Sequence, residues 1–161
     1  MEFIRMKHSG DVQNRRFIIE AAPLVAIVAA IVAAVIATEL KPLSLDGLAA
    51  DVGDLRTSAS AARLLATEYM NGDLTDTFTR SNADLIYSQV RSIRKDLESS
   101  EPEQDIVLEH WEARHYAKQL EEAAYRMAND STGIGIERNR AGELIQQFRD
   151  LEDKLKAHPK E

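Results

Sequence analysis

The length, cysteine content and charge of this chain exclude several classes of protein. Its 161 residues contain no cysteine, which excludes disulfides, thiolate metal sites and cysteine nucleophiles. The net charge is −7 and the acidic excess follows residue 38, so a basic or neutral partner is expected rather than nucleic acid. Abundant alanine, leucine and charged residues, with few aromatic ones, favour an all-α fold.

The most apolar segment, residues 17–38, predicts a single transmembrane helix. Glu20 is its only charged residue. Its 22 residues, at ~1.5 Å each, are long enough to cross a hydrocarbon layer of ~30 Å. Two arginines directly precede the segment and acidic residues follow it. Residues 1–16 are therefore expected to be cytoplasmic, and residues 39–161 to lie on the periplasmic side of an inner membrane.

The alanines of this segment fall on one face of the predicted helix, at about 100° per residue. Small side chains let two helices approach closely in lipid, so we expect this face to dock on another transmembrane subunit. The alternative explanation of the alanine face is that it reflects the alanine-rich composition of the segment alone. For the whole segment the alternative is a signal peptide cleaved after Ala37, although its apolar run exceeds the usual ~7 to 15 residues. The alanine face comprises Ala22, Ala26, Ala29, Ala30, Ala33, Ala34 and Ala37.

Residues 39–161 are predicted to form an antiparallel bundle of about four helices, with long hairpins packed on a partner as the alternative. In the first helix, apolar or small residues recur in steps of three and four from Leu45 to Tyr69, which is a heptad seam. Ser44 is the expected N-cap, and Gly72 marks the expected stop.

The second helix is expected from about Leu74 to Ser99, with Asp73 or Thr75 as its N-cap. A further capping signal at Ser81 leaves open whether its first third is continuous. Six side chains are expected to face the core: Phe78, Leu85, Ile86, Val90, Ile93 and Leu97.

The third helix is expected to start at a capping box formed by Ser100 and Glu103. The fourth is expected from about Glu137 to Ala157, after a loop through residues 133–135. Their predicted core residues again recur in steps of three and four: Ile106, His110, Ala113, Ala117, Leu120, Ala124 and Met127 in the third helix, and Ala141, Leu144, Phe148, Leu151 and Leu155 in the fourth.

One cluster resembles a chemical site, the Glu112-x-x-His115 pair, whose spacing supplies metal ligands in di-iron bundles. Such a site needs a second Glu-x-x-His pair and two further carboxylates, and the sequence holds no second copy. His110 is interpreted as a core residue with a local hydrogen bond. No phosphate-binding glycine loop or catalytic triad motif occurs, so neither an enzyme, a cofactor nor a metal centre is expected.

Trp111, the only tryptophan, adjoins the predicted seam of the third helix. It is a candidate anchor for a partner protein, because tryptophan is frequent among the residues that dominate interface energies. Packing in the core is the alternative.

These features predict a non-catalytic, single-pass accessory or scaffold subunit that stabilises or positions a larger membrane protein complex of the respiratory, photosynthetic or transport type. Its expected partners are the lipid bilayer and other transmembrane subunits. Two alternatives stay open. One is a membrane-anchored extracytoplasmic sensor or binding module, and the other is a homodimeric spacer.

Enlarging the alanine face tests the predicted helix packing. The test variant carries leucine at Ala26, Ala30 and Ala33. It should still insert, because the segment stays apolar, but it should lose its partner in a mild-detergent pull-down since close approach is blocked. The matched control carries leucine on the opposite face, at Ile27, Ile31 and Val35, and should keep the partner. Equal recovery from both variants would contradict a docking role for the alanines.

Overall fold

The computed structural model describes residues 42–158, and the predicted membrane segment with its alanine face lies outside them. Residues 42–158 form an all-helical bundle of four α-helices, in agreement with the fold class expected from the sequence. None of these helices combines the length and apolar character needed to cross a membrane. The helices are α1 (Leu45–Asn71), α2 (Asp76–Ser99), α3 (Val107–Asn129) and α4 (Ile134–Ala157).

Each helix packs on its neighbours in chain order, and α4 closes the bundle against α1. The largest interfaces join α2 to α3 and α1 to α4, while α1 and α2 share the least extensive one. Just before α1, the backbone of Leu43 pairs with residues 101–103: its N–H donates to the Glu101 carbonyl at 2.7 Å, and its carbonyl accepts from Glu103 at 3.1 Å. The starts of α1 and α3 therefore lie at the same end of an antiparallel bundle.

Both predicted ends of α1 are confirmed. The Ser44 hydroxyl accepts a hydrogen bond from the Gly47 N–H at 3.3 Å, which satisfies one of the unpaired donors of the first turn. Gly72 has a φ of 85°, a left-handed conformation that lacks strain only without a Cβ. Its N–H donates to the Tyr69 carbonyl at 3.0 Å and so closes the last turn.

The core face of α2 differs from the prediction. The helix is continuous from Asp76, without a break before Ser81. However, Phe78 and Leu85, which were expected inside, are 51% and 66% exposed. Thr79 takes the place of Phe78, and Ala83 that of Leu85, so that these side chains lie on the core side: Thr79, Ala83, Ile86, Val90, Ile93 and Leu97.

Thr79 can occupy the core because its polar group is satisfied locally. Its hydroxyl donates to the Thr75 carbonyl at 3.0 Å, one turn earlier. A buried hydroxyl with a partner avoids the free-energy cost of desolvation, so a threonine replaces the larger Phe78 at the seam. Thr75 itself is the N-cap and accepts from the Phe78 N–H at 3.3 Å, which selects one of the two predicted caps.

The predicted starts of α3 and α4 are both wrong. The Ser100 hydroxyl donates back to the Asp96 carbonyl at 2.7 Å, so Ser100 ends α2 and does not cap α3. A short 3-10 turn, Gln104–Ile106, leads into α3. The expected loop through residues 133–135 is replaced by a second 3-10 turn, Ser131–Gly133, and by the first residues of α4.

The predicted seams of α1, α3 and α4 form the core. His110 is 4% exposed, and its Nε2–H donates to the Leu97 carbonyl at 2.8 Å. That carbonyl lies in the last turn of α2, where carbonyls lack donors from their own helix. The predicted local hydrogen bond of His110 therefore joins two helices, and it requires a proton on Nε2.

His110 should make folding stability depend on pH. Burial lowers the pKa of His110 in the folded protein below the ~6.5 of an unfolded chain; the hydrogen bond to Leu97 opposes this shift and the positive charge of Arg114 adds to it. Below about pH 6.5 the unfolded chain thus takes up a proton that the folded protein does not. The free energy of unfolding should fall as the pH drops from 6.5 toward the folded pKa, and this contribution is complete above 6.5.

The variant His110→Gln isolates this effect, since a glutamine amide can donate to Leu97 but does not titrate. Urea denaturation of the full chain in detergent, followed by circular dichroism between pH 7.5 and 5, should show a smaller loss of stability than in the parent. If the free energy of unfolding falls equally with pH in the two proteins, His110 is not the cause of the pH dependence.

Candidate interaction surface

An apolar surface opens at the first two turns of α3. Ile106 and His110 are buried in the core, and their positions define which face of α3 is turned inward. The residues beside them therefore face outward: Val107 is 52% exposed, Leu108 is 63% exposed and Trp111 is 61% exposed. We call these three residues, with His115, the Trp111 patch. The alternative that Trp111 packs in the core is wrong.

The tryptophan ring is held in a defined orientation. It stacks on the His115 ring with a centroid distance of 5.5 Å and an interplanar angle of 2°. His115 is fixed in turn by Gln119, whose Nε2 donates to the ring Nε2 at 2.8 Å. A flat, supported aromatic surface loses little side-chain entropy when it binds, which suits it to protein recognition.

An unbroken row of rings links this surface to the core. The centroids of the His115 and Tyr116 rings lie 5.9 Å apart. The Tyr116 and Phe148 rings pack edge to face, with a centroid distance of 5.9 Å and an interplanar angle of 87°. Phe148 is fully buried in α4. The orientation of Trp111 is therefore coupled through ring contacts to the packing of α3 against α4.

Polar side-chain contacts attach the same part of α3 to the end of α4. The Lys154 ammonium donates to both carboxylate oxygens of Glu112, at 2.8 and 2.9 Å, and this contact raises the pKa of Lys154. One turn earlier, Glu109 lies 3.4 Å from the His158 ring. The first turns of α3 are thus attached to α4 on one side and leave the Trp111 patch free on the other.

The Glu112-x-x-His115 pair is used for these contacts. Glu112 binds Lys154, whereas His115 stacks on Trp111. Within residues 42–158, no group of three or more histidine and carboxylate side chains lies close enough together to hold a metal ion.

A second apolar surface, absent from the sequence predictions, lies between α1 and α2. It is an open groove of about 320 Å³, and we call it the α1–α2 groove. Leu64, Phe78 and Leu85 line it and are each more than half exposed. The sequence does contain an indication of this groove, because the apolar residues of α2 occupy two adjacent stripes and only one stripe can face the core.

Of the site residues predicted from the sequence, Trp111 lies on an exposed surface, and the alanine face lies outside the described residues. No protein-family model matches the chain, and no significant match was found among curated proteins or solved structures. The case for function therefore depends on the residues of the chain itself.

Two alanine substitutions should distinguish a side chain on the surface from one in the core by their effect on stability. Trp111→Ala should lower the free energy of unfolding by less than about 1 kcal/mol, because the ring is largely exposed. Phe148→Ala should cost about 3 to 5 kcal/mol, since it leaves a cavity in the core. Urea denaturation of the full chain in detergent measures both values. A large loss for Trp111→Ala would mean that the ring supports the fold rather than a contact.

Proposed function

We propose that this protein is a non-catalytic scaffold subunit, anchored in an inner membrane by residues 17–38, which stabilises or positions a larger membrane protein complex. The observation that carries the proposal is the exposed Trp111, which stacks on His115 and is one helical turn from the exposed Leu108. A large, oriented apolar side chain at a surface is typical of residues that dominate protein interfaces.

The surroundings of the Trp111 patch support a protein partner. The patch combines an apolar centre with charged neighbours such as Glu112 and Lys154, which resembles the core-and-rim arrangement of protein interfaces. It also lies near the start of α3, at the end of the bundle where the chain enters through Leu43.

The remaining parts of the proposal come from the sequence. Two arginines before residue 17 favour a cytoplasmic N-terminus, and the helical bundle is then periplasmic. The alanine face would supply the contact within the membrane, and other transmembrane subunits of a respiratory, photosynthetic or transport complex would be the partners.

A mild-detergent purification of the tagged full chain tests the proposal. The parent should elute as one large complex of defined mass. Trp111→Ala combined with Leu108→Gln should lose that complex while keeping the helical content and insertion of the parent, because interface anchors contribute more than 1 kcal/mol each.

The matched control removes exposed apolar surface elsewhere in the bundle. Tyr125 on α3 is 53% exposed and Ile136 on α4 is 69% exposed. Tyr125→Ala combined with Ile136→Gln should keep the complex. If the parent purifies as a lone monomer, the scaffold function is wrong. If both double variants retain the complex, the Trp111 patch is not its contact.

A further inference from the structure

The α1–α2 groove lies where two neighbouring helices share the least extensive interface of the four between adjacent helices. Leu65, Leu74 and Ile86 form its floor, and the exposed Leu64 and Leu85 form its sides. The C-terminal half of α1 and the N-terminal half of α2 therefore frame a long apolar depression. The groove is separate from the Trp111 patch, because none of the residues that line it belongs to α3.

The same two helix faces become acidic toward the other end of the bundle. On α2, the stripe through Leu85 continues in helical steps to Gln89, Ser92 and Asp96. On α1, the stripe through Ala61 continues back to Thr57 and Asp54. An apolar half and an acidic half thus follow one another along the same faces of α1 and α2, and we call these two facing stripes, from Asp51 to Glu68 on α1 and from Phe78 to Asp96 on α2, the furrow.

Asp51 shows that the acidic side chains of the two helices approach one another. It is partly buried on α1, and its pKa is raised by burial first and then by the negative charges of Asp96 and Asp54. Asp96 belongs to α2, so the repulsion acts across the furrow. Repulsion of the partly buried Asp51 carboxylate by the exposed Asp54 and Asp96 would be relieved by a bound cation.

The protein does not neutralise these charges within the described residues. None of Asp51, Asp54 and Asp96 forms an ion pair with a lysine, arginine or histidine of residues 42–158. Elsewhere, carboxylates at helix interfaces are paired: Glu121 with Arg94, and Glu152 with Arg56 at 3.0 Å. Charge complementarity therefore favours a partner with basic side chains.

We infer that the furrow between α1 and α2 binds an amphipathic helix of another protein, with apolar side chains against Leu64, Phe78 and Leu85 and with lysine or arginine against the aspartates. Two antiparallel helices present a groove that accepts a third helix through side chains spaced three and four residues apart. From Asp51 to Glu68 the furrow is about 25 Å long at ~1.5 Å per residue, which a helix of about five turns can cover.

Two synthetic helical peptides of 21 residues provide the probe. In both peptides, one half of the helix carries leucines spaced three and four residues apart on one face. On the other half, three positions of the same face are lysine in one peptide and glutamate in the other. Fluorescence anisotropy with the full chain in phosphatidylcholine nanodiscs, corrected with empty nanodiscs, should show saturable binding of the lysine peptide alone. Raising the salt concentration should weaken it.

Substitutions in the apolar half and in the acidic half of the furrow should both weaken binding of the lysine peptide, but only the second should change its salt dependence. Leu64→Gln with Leu85→Gln should weaken binding about tenfold or more, because apolar anchors are lost. Replacing all three aspartates by asparagine should weaken it by about tenfold, and should also remove the salt dependence. Ile136→Gln is the matched control, since Ile136 and Leu85 are similarly exposed at 69% and 66%, and it should leave binding unchanged.

Three results would overturn the inference. These are no saturable binding of the lysine peptide to the parent, equal binding of the glutamate peptide, or unchanged binding to the leucine double variant when its circular dichroism matches that of the parent. A parent that is dimeric, and becomes monomeric in the leucine double variant, would show that a second copy occupies the groove and would also overturn it. None of these results bears on complex formation through the Trp111 patch, which the pull-down tests separately.

Discussion

Close packing of four narrow apolar seams is the constraint from which the other features of the bundle follow. Nine of the 23 hydrophobic residues that are buried within residues 42–158 are alanines, and small side chains let the helices approach closely where they lie. Larger residues such as Phe148 and Leu120 fill the other positions of the seams. Large side chains such as Phe78 and Trp111, each one position off a seam, are excluded from this core and left on the surface.

This exclusion explains both candidate surfaces. Trp111 directly follows the buried His110, and Phe78 directly precedes the buried Thr79. In each pair the smaller or locally hydrogen-bonded residue enters the core while the larger aromatic ring remains outside. The exposed rings are therefore consequences of a narrow core, and they give the bundle two separate surfaces with which to contact other proteins.

Polar contacts then fix the helices relative to one another. His110 supplies a donor to the end of α2, Lys154 ties α4 to Glu112 on α3, and the guanidinium of Arg56 lies 3.0 Å from Glu152 across the α1–α4 interface. Glu152 is only 9% exposed, so this pair is shielded from water more than an ordinary surface ion pair. The α1–α2 interface, by contrast, gathers Asp51, Asp54 and Asp96 without such a pair, which is why we regard it as the side left for a partner.

The sequence alone determined the helical class, the limits of α1 and the core seams of α1, α3 and α4, because caps and heptad spacing are local properties of the chain. It did not determine which of two adjacent apolar stripes of α2 is buried, since both have helical periodicity and only the positions of α1 and α3 select between Phe78 and Thr79. The role of Ser100 was decided in the same way, because the backbone pairing of Leu43 with residues 101–103 holds that segment extended. Tertiary packing likewise decided that Trp111 faces outward, since a residue beside a seam becomes core or surface according to how closely its neighbouring helices approach.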